Sequence, residues 1–246
     1  MLQEKYLGEV LLRFQVDSPR AASTPLPPGC KLCQADSPQS AAEKDQIAFI
    51  PYRSALTYLA VCTRPDIAAA VSSLSRFNRN LGMAHWEGVQ HVLRYLKGTS
   101  GPVLQEGNLY QAVGLLGYYS SHLTCPATAR SRAASVLLSA GGAISWQSKL
   151  VANASLSSCD SEYMGFFMAT QEVSFLRQLQ LEMQGKAGVP ASIVVYVEMQ
   201  PALDIVNNPV YHARSKQILA KYHFVRDKGD NCFFRKSQLG RWGLNF

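Results

Sequence analysis

The stretch Leu156-Ser157-Ser158-Cys159-Asp160-Ser161-Glu162-Tyr163-Met164 sets serines able to cap a helix directly before carboxylates in its first turns. An acid fixed at a helix start can grip a hard divalent cation. It can equally be an ordinary first-turn acid, favoured by the helix macrodipole by about 0.3–1 kcal/mol. Local chemistry alone leaves both readings open. Among the other reactive groups, Cys30-Lys31-Leu32-Cys33 has the spacing of half a zinc site. No second Cys/His pair lies nearby, so the six cysteines read as ordinary reduced thiols. His122 stands alone, and imidazole is a poor magnesium ligand, so an exposed strand-end histidine is the simpler account. No G-x-G-x-x-G or other phosphate-cradling glycine loop occurs.

The elements that would position these groups follow from hydrophobic spacing. Tyr6, Leu7, Val10, Leu11 and Phe14 recur at helical intervals, and the Pro-, Ser- and Ala-rich stretch from Ser18 to Ala42 reads as a long loop. Thr63 can cap a helix with Pro65 in its first turn and an apolar stripe of Ile67, Val71, Leu74 and Phe77. A second helix starts at about His85 with Trp86, Val89, Val92, Leu93 and Leu96 inward, and ends on Lys97 and Gly98, a residue suited to a left-handed cap. Beyond it the pattern turns extended: Ala112 to Tyr119, Ala134 to Ser139 and Ala143 to Ser148 predict three consecutive antiparallel strands, punctuated by Pro126 and the Gly141-Gly142 turn. A helix from about Asp160 to Met183, a strand from Ser192 to Val197 and a short helix from Gln200 to Asn207 complete a mixed α/β order.

The 156–164 run resembles the Leu-Ser-Ser-Thr-Glu-Ala-Glu-Tyr-Met signature of the ribonuclease H domain in copia-type retrotransposon Pol polyproteins. Gly142-Ala143-Ile144-Ser145-Trp146-Gln147-Ser148-Lys149 is similar to the strand that precedes it there. Gln3-Glu4-Lys5-Tyr6, Ser23-Thr24-Pro25-Leu26-Pro27, Pro51-Tyr52-Arg53-Ser54, Cys62-Thr63-Arg64-Pro65-Asp66-Ile67 and His85-Trp86 through Arg94-Tyr95-Leu96-Lys97-Gly98-Thr99 look like the family's reverse transcriptase thumb and connection. The resemblance runs to about Lys228. It implies an α/β fold: a ribonuclease H-like mixed sheet with flanking helices over residues 101–246, preceded by a small, mainly helical thumb/connection-like region over 1–100. The second region is expected to lack the family's closing strand and terminal helix, leaving a sheet edge open to association with other chains.

The resemblance also implies a chemistry. Phosphodiester hydrolysis in this family uses two magnesium ions, about 4 Å apart, one activating water and one stabilising the leaving oxygen. The ions need negatively charged oxygens. Glu162 matches the family's helix Glu and Asp160 its acidic neighbour. The first-strand Gly-Tyr-Ser-Asp-Ala-Asp-Trp motif aligns with Gly117-Tyr118-Tyr119-Ser120-Ser121-His122-Leu123, which puts Ser120 where the first Asp belongs. Glu198 takes the fourth-strand Asp position with one methylene more, and the last acid has no counterpart. Glu162 and Glu198 are thus the implied metal ligands and Ser120 a degenerate catalytic position, and with two of the family's acids gone and a third altered the expected nuclease activity is negligible. The family's Tyr-x-Asp-Asp polymerase motif has no match, since no Asp-Asp pair occurs.

Charge points to a partner. The chain carries a formal +7, and from Pro209 onward eight Lys and Arg face only Asp227 and Asp230. Lys216, Lys221 and Arg226 are candidate phosphate contacts, although such a segment can also be merely solvated. Hydrophobic content of 47% and charged content of 17% fit a globular chain, no apolar run is of membrane-spanning length, and Glu4 and Lys5 interrupt a signal-peptide reading of the first residues. The expectation is therefore an intracellular, cytoplasmic or nuclear remnant of a retrotransposon Pol polyprotein, whose ribonuclease H domain ancestrally cut RNA in RNA/DNA hybrids, with other Pol segments as candidate partners. Two alternatives remain: a non-catalytic nucleic-acid-binding module, and an active magnesium enzyme with ligands redistributed to Glu162, Glu198 and Asp160. Tyr118, Tyr119 and Trp146 could stack on bases, but at strand positions they fit a core as well.

Overall fold

Apolar residues every three to four positions draw Glu4–Arg13 into helix α1, with Glu4 in the first turn and Arg13 in the last, each matched to the dipole. The computed structural model describes residues 3–15, 20–30, 32–40, 43, 52–99, 115–125, 130–139, 142–151, 158–184, 193–197, 224–225 and 232–236, in part as backbone only. The chain divides into two units, Met1–Gln105 with Trp242–Phe246, and Glu106–Arg241.

In the first unit, α2 (Tyr52–Cys62) buries Tyr52, Ala55, Leu56, Leu59 and Ala60 at helical spacing. A 3-10 turn, Pro65–Ile67, leads into α3 (Ala68–Leu74), which tightens again over Ser75–Phe77. The expected stripe is the buried one: Ile67, Val71, Leu74 and Phe77 all face inward. Thr63, however, is not the cap. Pro65 pushes the residue before it out of the helical region, so Arg64 occupies the cap position without a capping side-chain bond. The Thr63 hydroxyl instead donates to Gln3 Oε1 at 2.8 Å. Helix α4 (Met83–Gly98) buries Val89, Val92, Leu93 and Leu96. Gly98 is its last residue rather than a left-handed cap, because Thr99 ends the helix at φ −123°. Thr99 Oγ1 donates to the Tyr95 carbonyl (2.8 Å), and Arg64 Nη1 donates to the Thr99 carbonyl (2.8 Å). The helix end is closed by side chains, which removes the need for a glycine turn. Helices α1 to α4 share one apolar core.

In the second unit, β1 (Leu115–Cys125), β2 (Arg130–Ser139) and β3 (Gly142–Leu150) form the expected antiparallel meander. After it, α5 (Ser158–Gln184) carries the chain to β4 (Ile193–Val197), which returns parallel to β1. A further strand, β5 (Cys232–Lys236), lies parallel to β4 in the register Ile193↔Cys232 to Val197↔Lys236. The order is β3-β2-β1-β4-β5, with β2 the one strand running against the others. This is the ribonuclease H-like mixed sheet. It corrects one expectation: a closing strand is present, and the β4 edge that was to be left open is paired. Cys232, Phe233 and Phe234 supply a short apolar and aromatic run suited to it.

Phe166, Ala169 and Val173 of α5 pack with Ala133 and Leu137 of β2 and with Ile193, Val195 and Val197 of β4. Strand β2 is buried from Ser131 to Leu137 without alternation, so both its faces are covered. Gly117 is glycine for lack of room: a Cβ there would meet Leu137 Cδ2 at 3.0 Å and Val195 Cγ2 at 3.1 Å. Ser145 Oγ donates to Glu172 Oε1 at 2.6 Å and pins β3 to the helix. Ser145→Ala should lower stability by about 1.5 kcal/mol, the worth of a hydrogen bond to a charged group, read from the urea midpoint. Among the described residues no helix is long and apolar enough to cross a membrane. The short helix expected over 200–207, the Pro126 and Gly141 turn positions and the boundary at Gly101 lie outside the described residues.

Candidate metal and nucleic-acid site

Three elements carry the positions that could hold a cation. Strand β1 pairs with β4 from Leu116↔Val194 to Tyr119↔Val197, and Ser120 is the next residue of β1, opposite Ala134 of β2. It therefore sits in the middle of the sheet, at the end of the parallel pair. Val197 closes β4, and Glu198 follows it in sequence but lies outside the described residues. Helix α5 begins at Ser158, so Asp160 falls in its first turn and Glu162 at the start of its second. Position 162 precedes Phe166 and Ala169, which pack against the sheet, by four and seven residues. The fold thus gives each matched position to a different element: Ser120 to β1 and Glu162 to α5, both in place on the backbone, with Glu198 next to β4 in the chain.

The donor types decide what such a cluster can do. Two magnesium ions need several anionic oxygens to offset four positive charges, whereas these positions offer two carboxylates and one neutral hydroxyl. The set does not fit a two-ion site, and no hydrolytic step is derived through one. Among the described residues no group of three His, Cys, Asp or Glu side chains is placed to share a metal.

The candidate phosphate contacts Lys216, Lys221 and Arg226 lie outside the described residues. The residues just before Arg226 do not: Phe224 meets Phe167 of α5 edge to face at 5.4 Å, and Val225 is fully buried. Phe224, the last residue of the Tyr222-His223-Phe224 motif, is therefore anchored on the helix that carries Glu162. At the Cys30/Cys33 pair, the Cys33 amide and thiol both donate to Asp36 Oδ2, at 3.0 and 3.2 Å, which holds the Asp36 carboxyl below its ordinary range. Burial, and then the Asp36 charge, push the Cys30 thiol up, away from the thiolate a metal would need.

Sequence reasoning passed over the polar side chains of α4. His85 is buried, with its Nδ1 accepting from the Gly82 amide and its Nε2 on the Cys33 carbonyl, both at 3.0 Å. His91 and Arg94 meet three residues apart, at 3.3 Å. The signal was available, since 91 and 94 lie one turn apart on a correctly read helix.

No family model matches the chain. It is 39% identical over 93% of its length to the retrovirus-related Pol polyprotein from transposon TNT 1-94 of Nicotiana tabacum, and 28% identical over 92% to that from transposon RE1 of Arabidopsis thaliana. The chain belongs to the copia-type retrotransposon Pol polyproteins. It spans 17% and 15% of the length of these two relatives. About half of it, 52%, is also 38% identical to the secreted RxLR effector protein 161 of Plasmopara viticola and covers 92% of that protein. Among solved structures, the ribonuclease H1 of Halobacterium salinarum superposes on 50% of the chain and 84% of its own, at 12% identity and a TM-score of 0.37. The Pol relationship covers both units, so the helices of the first unit and the sheet of the second come from one polyprotein segment.

Proposed function

We propose that this Pol segment binds nucleic acid through its ribonuclease H-like unit without cutting it at an appreciable rate. The observation that carries the reading is Ser120: it stands mid-sheet on β1, beside the end of β4, where the family's two-ion chemistry calls for a carboxylate bridging both metals. A hydroxyl offers neither the charge nor the bridging oxygens, and Glu198 in place of Asp moves its carboxylate outward by one methylene. Glu162 alone would hold at most a weak, single ion. The net charge of +7, concentrated from Pro209 onward, supports retained affinity for a phosphodiester backbone, with Lys216, Lys221 and Arg226 as contacts. An RNA/DNA hybrid is the partner that the family relationship favours, and an intracellular setting follows from that partner.

The test is a cleavage assay. The purified chain with magnesium and a labelled RNA/DNA hybrid is expected to give no more product than buffer, and Glu162→Gln to change nothing. Cleavage by the parent chain that disappears in Glu162→Gln would overturn the reading in favour of an active enzyme with rearranged ligands. Gel-shift binding of the same hybrid should persist in Glu162→Gln and weaken steeply with salt.

A further inference from the structure

The Pro-rich segment that follows α1 runs antiparallel along α4. A Cβ on Gly98 would lie 2.5 Å from Ala21 Cβ, the Thr24 carbonyl meets His91 Nε2 at 3.0 Å, and Leu26 and Leu32 approach Gly88. Residues 21–24 therefore pass over the helix between positions 91 and 98, and Arg94 lies on that same face, three residues after His91 and four before Gly98.

Arg94 is held there in an unusual way. Its Nη2 donates to His91 Nδ1 at 3.3 Å, and since a guanidinium can only donate, His91 must be the neutral tautomer whose Nε2–H donates to Thr24. The guanidinium is half-buried, and its Nε is shielded from solvent with no acceptor. Among the described residues no carboxylate forms an ion pair with Arg94, and Asp66 pairs with Arg64. In sequence, Asp17 and Asp36 bracket residues 18–35 and Glu87 and Glu106 bracket 88–105; Glu87, two turns before Arg94, is exposed and forms no ion pair with it. Asp66, which reaches Tyr95, is committed to Arg64. The C-terminal end of α4 offsets part of the cost of a cation at this place, but supplies no acceptor to Nε. Arg20, exposed, begins the segment that crosses over.

A half-buried guanidinium, oriented by a neutral histidine and left without an anion, is a fork prepared for one. We propose that Arg94, positioned by His91 and assisted by Arg20, is a phosphate-binding subsite on the first unit that takes a phosphodiester of bound nucleic acid. The inference rests on the nucleic-acid-binding reading above and adds a contact far in sequence from the basic segment after Pro209. Arg94 acts by direct contact, and His91 by holding the fork in register.

The experiment measures binding of a fluorescein-labelled RNA/DNA hybrid to the whole chain by anisotropy, from about 50 to 200 mM NaCl. Arg94→Gln should weaken binding and make the slope of log K against log salt shallower by about one, with a smaller change for Arg20→Gln. Arg94→Lys keeps the charge but loses the fork, and should fall between parent and Arg94→Gln. Should Arg94→Gln fail to fold, Arg94→Lys and the exposed Arg20→Gln carry the test, each checked for an unchanged thermal melt. Inorganic pyrophosphate is the second arm: protection of the parent but not of Arg94→Gln in the melt assigns the subsite to free phosphate anions, while an effect on the hybrid alone assigns it to the polynucleotide. A parent chain that binds no hybrid sinks both readings. A parent that binds, with slopes unchanged in all three arginine variants and no pyrophosphate protection, overturns this one alone.

Discussion

His85→Ala is expected to cost about 4 kcal/mol of stability, read from urea unfolding at neutral pH. The ring lies fully buried against Phe77, stacked at 4.0 Å and 12°, and joins α4 to the loop that precedes α2. Its Nδ1 takes the Gly82 amide proton just before α4, and its Nε2–H donates to the Cys33 carbonyl, 52 residues away. Truncation would orphan both backbone groups, at about 1–3 kcal/mol each, and lose a ring contact worth about 0.5–1.5 kcal/mol. Gly82 is part of the same joint, because a Cβ there would run into the Asp36 carbonyl.

The joint also fixes a pH dependence. A proton added to Nδ1 would face the Gly82 N–H donor, so the neutral form alone fits. Burial holds His85 below its ordinary value of 6.5, against the opposing pull of the Cys33 carbonyl and the Asp36 charge. His91 is lowered too, by burial first and then by Arg94. In the window below 6.5 the unfolded chain binds more protons than the native one, so stability rises with pH there. It is complete above the unfolded value and declines as pH falls through it. A His85→Phe variant should lose much of this slope and keep the part due to His91. An unchanged acid profile in that variant would count against the tautomer assigned here.

Asp66→Ala is expected to cost about 3 kcal/mol. Arg64 is a buried cation whose Nε and Nη2 meet both Asp66 oxygens at 2.7–3.2 Å, while Nη1 and Nη2 close the end of α4 at the Thr99 carbonyl and hydroxyl. The side chains are 6% and 17% exposed, so removing the acid strands a charge in a poorly solvated place. The Arg64→Met/Asp66→Ala double variant should be less destabilised than the sum of the single changes, since the stranded charge disappears with its partner. Strict additivity in that cycle would show the pair to be energetically idle.

Much of this protein is decided by local sequence. The helical stripes of α1, α3, α4 and α5 and the extended runs of β1 to β4 need only periodicity, because each element buries one face and its neighbours in sequence supply the spacing. The motif around Glu162 and the serine at position 120 were readable in the same way, since residue types at fixed offsets do not depend on the rest of the chain. What needed the tertiary structure involves partners far apart. Helix α2, by contrast, carries its apolar stripe of Tyr52, Ala55, Leu56, Leu59 and Ala60 in plain sight in the sequence. Strand β5 is five residues long and gains its meaning from β4, across a connection whose closure entropy no local pattern encodes. The end of α4 is capped by Arg64, 35 residues away, so a glycine that suited a left-handed turn stayed helical. The neutral states of His85 and His91 and the unanswered charge of Arg94 likewise arise from packing. Periodicity tells a residue which way to face; only the assembled fold determines what it meets there, and that meeting sets its charge, its bonds and its use.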